Sequence, residues 1–253
     1  MAVRLYWMAI SHPSQAARKM LECKDVEFEL VDVLPLSQRV HLRLVGFRGG
    51  TVPALKLDDR RVQGSRQIAR VLDERWPDPP LFPRDPESLA RVQEAERWGE
   101  EQLQPVPRRI ARFGAAHDVE IRRWGARGQR LPAADTVARL SGPLVSLYGR
   151  TTEADARRAT ETAIRADLAA LPALLAHVDA MLADGTLALS PPNAATLQVL
   201  SSVRLLDSFA DLHDYVSTHA CAQAARDVFP RYPASLPHFL PSEWLRTMIL
   251  ASG

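Results

Sequence analysis

The spacing of apolar positions changes character near residue 80. Before it, short β-rich runs alternate with helical periods. Val3–Ile10 is rich in Val, Tyr, Trp and Ile and predicts a strand. Ala16, Ala17, Met20 and Leu21 then fall at helical spacing. Phe28, Leu30, Val31 and Val33 mark a second strand, and Leu36–Phe47 predicts a short helix. Thr51–Gly64 predicts a hairpin turning at Asp58-Asp59. Ser65–Trp76 carries Ile68, Val71 and Leu72 on one helical face and ends before Pro77. The predicted order is β-α-β-α-β-β-α.

Prolines 77, 79, 80, 83 and 86 then make a stiff, non-helical linker. Beyond it the pattern is helical. Leu89–Phe113 predicts one long helix kinked at Pro105 and Pro107. Ala134–Tyr148 and Thr152–Gly185 come next; the second is the longest, with Pro172 a kink and Gly185 its stop. Asn193–Phe209 is apolar around its whole circumference and predicts a helix buried on all sides. His219–Phe229 predicts a shorter helix, and the Pro-rich, aromatic Arg231–Leu245 a strap against it. The division is thus an α/β domain over residues 1–82 and an all-α domain over residues 83–253.

Charge narrows the partners. A formal charge of +2 over 253 residues gives no global case for nucleic acid. Arginines 108, 109, 112, 122, 123, 127 and 130 are a local exception, read first as a solvated face and second as an anion-binding mouth. Lysine occurs only at 19, 24 and 56, an arginine bias expected of GC-rich bacterial coding. Cys23 and Cys221 have no metal-ligand spacing, so no metal is expected and a reducing cytoplasm fits. The N-terminal apolar run is too short for a secretory leader, and no unbroken run of ~18 apolar residues implies a membrane span.

The candidate chemistry sits at the first corner, Ser11-His12-Pro13-Ser14. Pro13 suits a first helical turn, so Ser11 or His12 can serve as a cap. The corner can equally present a hydroxyl at a helix tip. A free thiol is a few per cent ionised at pH 7, and only its thiolate is a strong nucleophile. A hydroxyl donating to the sulfur and the positive end of a helix both favour the anion. Lowering a thiol pKa by two units needs ~2.7 kcal/mol, within reach of these two effects together.

Leu5-Tyr6 followed by Ser11, with Val52-Pro53-Ala54-Leu55 and a turn-serine-helix at Gly64-Ser65, resembles the glutathione transferase superfamily, in particular its serine-type, theta-like members. The resemblance implies a thioredoxin-like N-terminal domain joined to a helical one, and a homodimer. It implies that Ser11 holds the thiolate of bound glutathione, with Ser14 the second choice and His12 an exposed neighbour. It implies a cis Pro53, with the Val52 backbone pairing with the tripeptide, and Ser65 on the γ-glutamyl carboxylate. Gln38, Arg39 and His41 share the region of the glycyl carboxylate, and the spacing does not choose among them. The hydrophobic electrophile would lie between the domains, with Trp7, Met8, Trp98, Gln102 and Pro105 as candidate walls, joined by Phe113 and Trp124.

Two departures weigh against glutathione itself. Gly64 stands where the family usually has Glu or Gln, removing a polar contact of about 1–3 kcal/mol. Asn193-Ala-Ala-Thr196 lacks the acidic partner of the usual capping box. Another low-molecular-weight thiol is therefore an alternative cosubstrate. A non-catalytic binding or structural protein on the same fold is the alternative function. Without a cysteine at the corner, disulfide exchange is not expected there.

Overall fold

The structure, a computed structural model, describes residues 2–34, 37–126, 134–143, 145, 159–232 and 236–250. Its sheet has the order β2-β1-β3-β4, formed by β1 (Val3–Trp7), β2 (Glu29–Asp32), β3 (Ala54–Leu57) and β4 (Arg60–Gln63). β1 runs parallel to β2 and antiparallel to β3, and β3 is antiparallel to β4. The parallel pair needs a crossover, supplied by α1 (His12–Cys23). Alternation along β1 feeds two layers. Val3, Leu5 and Trp7 join the main core, which also buries α1 and α3 (Ser65–Arg75). Tyr6 points the other way, into a small cluster with Val33, Leu42, Phe47 and Ala54 beneath α2 (Gln38–Leu44).

The predicted β-α-β-α-β-β-α order is observed. β1 stops at Trp7 rather than Ile10, because the Ser11 amide donates to the Met8 carbonyl (3.0 Å) and turns the chain. The hairpin turns at Asp58, as expected.

The helical part departs further. The predicted single helix from Leu89 to Phe113 is three pieces: α4 (Pro86–Trp98), a π-helical turn Gly99–Leu103, and α5 (Pro105–His117). Pro105 has no N–H to continue an α-helical ladder, and the turn before it widens so that the Gln104 amide reaches the Gly99 carbonyl at 2.8 Å. Gly99 also lies against the core helix: a Cβ there would meet Val199 Cγ2 at 2.9 Å.

After α6 (Val119–Ala126) and α7 (Ala134–Leu140) comes α8 (Glu161–Ala183), with Pro172 inside it; the predicted helical residues 146–148 and 152–158 lie outside the described ones. By length and composition α8 is apolar enough to cross a membrane, although it holds no unbroken apolar run of that length; Ile164, Leu168, Leu171, Leu175 and Val178 nonetheless form a buried stripe. Every residue of α9 (Ala194–Asp207) except Arg204 is buried, as its all-round apolar pattern predicts. The cap works without the acid: Asn193 Oδ1 accepts the Thr196 amide at 2.9 Å, and the Thr196 hydroxyl donates instead to the Ala188 carbonyl at 2.7 Å.

α10 (Ala210–Val216) and α11 (Ala220–Val228) complete the bundle. Residues 236–241 are the expected strap. The Asp211 carboxylate pins them, accepting the Phe239 and Leu240 amides at 2.8 and 2.9 Å. Past the strap the chain forms a helix, α12 (Ser242–Leu250), lying against α8 with Trp244 buried.

α9 is the seam, packed against α1, α3 and α4. A second pin fixes the linker. The Lys24 ammonium is buried at the end of α1, where it donates to Asp73 Oδ1 (2.7 Å) and to the carbonyls of Trp76 and Pro79 (both 2.5 Å).

Candidate functional site

Sheet register decides which predicted residues meet. Tyr6 is opposite Ala54, Ala54 opposite Gln63, and Trp7 opposite Asp32. The end of β1, the start of β3, the end of β4 and the end of β2 therefore share one end of the sheet. The segments leaving that end carry Ser11, Val52-Pro53, Gly64-Ser65 and, on α2, Gln38 and His41. The Val52–Pro53 bond is cis, as the resemblance implies, and the Pro53 carbonyl accepts the Gly64 amide at 3.0 Å.

Ser11 is the N-cap of α1, with extended backbone (φ −79°, ψ 110°). Its side chain makes no capping hydrogen bond, so the hydroxyl is not spent on the helix it starts. It is partly exposed, whereas Ser14 is fully buried and its Oγ faces the Met8 amide at 3.5 Å. The structure thus separates the two serines: one at the surface of the tip, the other inside. The amides of the first turn of α1 lack intrahelical acceptors and add their partial positive charge there.

His12 is not the exposed neighbour expected from sequence. It is 2% exposed, and neither ring nitrogen has a hydrogen-bond partner. Burial first, then the Arg108 and Arg112 guanidiniums, hold its pKa well below the usual histidine range. The ring is buried although its neighbours in the sequence are polar, so the sequence contains no local sign of that burial.

Ser65 opens α3 and is buried. Its hydroxyl donates to Gln198 Oε1 on α9 at 3.1 Å, away from an incoming ligand. Gln198 Nε2 in turn donates to Glu96 Oε1, and Arg70 Nη2 donates to Glu96 Oε2 at 2.9 Å. Burial pushes the Glu96 carboxyl up, with Arg70 opposing. The backbone amide of Ser65 is one of the orphan donors at the start of α3. Gly64 has φ +86°, a conformation that suits glycine, and nothing lies within 4 Å of where its Cβ would be. The position of the usual Glu or Gln is open space. Arg66 pairs with Glu100 at 2.9 Å. His41 stands edge-on to Tyr6, with ring centroids 6.0 Å apart, while Gln38 has a buried Oε1 without a hydrogen-bond partner.

Several candidate walls are packing instead. Trp7 and Trp124 are core residues, and Trp7 Nε1 donates to Asp32 at 3.0 Å. Trp98 packs on His177 and Phe113 on Trp244. Met8 lies against the small cluster beneath α2, and Gln102 is exposed.

The arginine-rich segment is not one solvated face. Arg109 pairs with the mostly buried Asp167, Arg122 donates to the Ala138 and Ala115 carbonyls (2.7 and 2.9 Å), and Arg123 pairs with Glu120. Arg127 and Arg130 lie outside the described residues. Burial raises the thiol pKa of both Cys23 and Cys221, so neither is an activated nucleophile. Among the described residues no acidic, histidine and cysteine group has a metal-binding arrangement.

Residues 5–80 match the glutathione S-transferase N-terminal domain family. The whole chain has the glutathione-transferase fold. The β-etherase LigF from Sphingobium sp. strain SYK-6 superposes with a TM-score of 0.67 at 19% identity, covering 99% of each chain. Glutathione transferase F7 from Populus trichocarpa gives 0.60 at 16% identity and 100% of each. A glutathione S-transferase from Rhodospirillum rubrum F11 gives 0.59 at 18% identity, covering 97% of this chain and 99% of that one. No curated protein matches the sequence significantly.

Proposed function

We propose that this protein is a glutathione transferase-like enzyme that joins a small-molecule thiol to a hydrophobic electrophile. The observation that carries the reading is the Ser11 hydroxyl at the tip of α1, uncommitted to capping and set among orphan amides. The hydroxyl donates to the sulfur of the bound thiol and stabilises the thiolate. The thiolate attacks the electrophilic carbon, a C–S bond forms, the leaving group departs with its electron pair, and the thiol proton goes to solvent. Val52 supplies strand-like backbone contacts beside Pro53, and the Ser65 amide meets a carboxylate. Glutathione is the first thiol to test, and a related thiol the second. Since one structural neighbour is a β-etherase, an aryl ether with a phenolate leaving group belongs among the electrophiles tested. The reading includes a cytoplasmic homodimer.

The experiment is a thermal shift in millimolar glutathione, followed by ultraviolet absorbance of bound thiolate in wild type and Ser11→Ala. A ligand at 100 times its Kd stabilises by about 2.7 kcal/mol. Ser11→Ala should keep binding and lose the thiolate band. An unchanged band refutes the role given to Ser11. A second reading, a binding protein without turnover, is favoured by two observations: the Ser65 hydroxyl is engaged with Gln198, and Gly64 offers no side chain. It predicts a thermal shift with no product from any electrophile.

A further inference from the structure

The turn that carries Ser11 is held at three successive carbonyls. The Met8 carbonyl accepts the Ser11 amide at 3.0 Å, and the Ala9 carbonyl accepts Nε2 of the buried Gln15. The Ile10 carbonyl accepts the hydroxyl of Tyr232, at 3.3 Å, from a residue that follows α11 and lies 222 positions later. Tyr232 is 8% exposed. A phenylalanine would fill nearly the same volume, and a buried hydroxyl is costly unless it is bonded, so the bond rather than the packing distinguishes tyrosine there. Arg204 of α9 steadies the ring. Its guanidinium lies 5.5 Å from the ring centroid, and its Nε donates to the Phe229 carbonyl at 3.3 Å.

The hydroxyl acts on the peptide unit next to the candidate donor. Ile10 and Ser11 share one planar unit, whose oxygen is held by Tyr232 and whose N–H is held by Met8. The following unit is held too, because the Ser11 carbonyl accepts the Gln15 amide at 2.9 Å. Ser11 Cα therefore sits between two fixed planes. Its Cβ direction is set, and the side chain, which makes no capping bond, keeps only its χ1 rotor. A group that must meet a reacting atom has to be kept within about 0.5 Å of its productive place. We propose that Tyr232 is a positioning residue for Ser11, reaching across the seam to clamp the Ile10–Ser11 peptide so that the serine hydroxyl meets the thiol sulfur. The link to the sulfur rests on the role proposed for Ser11; the clamp does not.

The test is Tyr232→Phe, which keeps the buried ring. In unliganded protein, hydrogen exchange followed by NMR should speed up at the Ser11 amide by about tenfold, or ~1.4 kcal/mol. The Gly64 amide, bonded to Pro53 at the same end of the sheet, should exchange as before. Titrated by ultraviolet absorbance, the thiolate pKa of bound glutathione should rise toward its value in Ser11→Ala, by about half a unit to one unit, a roughly threefold to tenfold loss of ionised sulfur. In the Ser11→Ala background the same change should move that pKa no further, because the tyrosine acts through the serine. Unchanged Ser11 exchange overturns the clamp. Faster exchange with an unmoved pKa overturns the positioning role and leaves Tyr232 a brace of the fold. A further shift in the Ser11→Ala background overturns it as well. Faster Ser11 exchange in a protein that shows no thiolate band with any thiol supports the clamp while refuting the transferase reading.

Discussion

The Ser65 hydroxyl donates to Gln198, and the proposed function gives its backbone amide to the ligand; two substitutions separate these roles. Ser65→Ala removes the donor from Gln198 Oε1 in a buried chain that runs on to Glu96. The cost is that of one unsatisfied buried acceptor, about 1–3 kcal/mol of stability. The amide is untouched, so glutathione affinity should change less than about twofold, or ~0.4 kcal/mol. Ser65→Pro has the same stability cost and also removes the N–H. Proline is well suited to the first helical position, and the ψ of 141° at Gly64 is what a residue before proline prefers. α3 should therefore persist. A hydrogen bond to a charged group contributes about 1.5–3 kcal/mol, so affinity should fall by about tenfold to a hundredfold. Urea denaturation measures the first effect and calorimetric titration the second. Tenfold weaker binding in Ser65→Ala, with no further loss in Ser65→Pro, would show that the hydroxyl faces the ligand.

Lys24→Met keeps the buried stem but strips Asp73 and two linker carbonyls of their shared donor. Because Asp73 keeps the Leu81 amide at 2.7 Å, the loss should sit near the lower end of the 3–5 kcal/mol typical of a broken buried pair, read from urea midpoints. His12 predicts acid sensitivity. Its folded pKa is depressed, so as pH falls below about 6.5 the unfolded chain takes up a proton that the folded one refuses. Stability should drop by up to about 1.4 kcal/mol per pH unit until the folded pKa is reached. The raised Glu96 gives the opposite slope nearer its own range, so the comparison is wild type against His12→Phe between pH 6.5 and 5.5; equal slopes would contradict the burial of a neutral ring. Gly64→Gln should cost about 1–3 kcal/mol, because a side chain must adopt φ +86° with ψ 141°, a combination nearly confined to glycine, yet tighten glutathione binding by filling the open position. Calorimetry showing unchanged affinity would mean that Gly64 does not border the thiol.

The N-terminal half was legible because its signals are local. Alternation in β1, the hairpin turn at Asp58 and the buried stripe of α3 each lie within about a dozen residues, and register is then set by keeping apolar faces inward. The same locality makes the grouping of Ser11, Pro53 and Gly64 readable from the family likeness. The helical half was readable as helices but not in its breaks. Proline marks where an α-helix is disturbed, yet it does not say whether the chain kinks or widens into a π turn, and the close approach of Gly99 to Val199, about a hundred residues away, is not visible locally. The strap was visible in its prolines, while α12 beyond it is fixed by contact with α8.

The Ser65–Gln198 hydrogen bond and the burial of His12 share one cause. Ser65 and Gln198 are separated by 133 residues, and the charges that bear on His12 come from α5. A serine opening a helix and a histidine beside a proline look like surface groups because their local context is polar. The helical domain turns both inward. That is also why the two ends of the site differ in how far the family likeness extends. Backbone features of the sheet edge, the cis Pro53 and the amides of α1 and α3, are set by the N-terminal domain alone. The side chain that turns Ser65 inward, Gln198, is supplied across the seam by the helical region, which lies outside the family match over residues 5–80. Substitutions at that seam should therefore alter how a bound thiol is held and ionised more than whether a thiol is bound at all, and the Tyr232 and Ser65 variants probe its two halves independently.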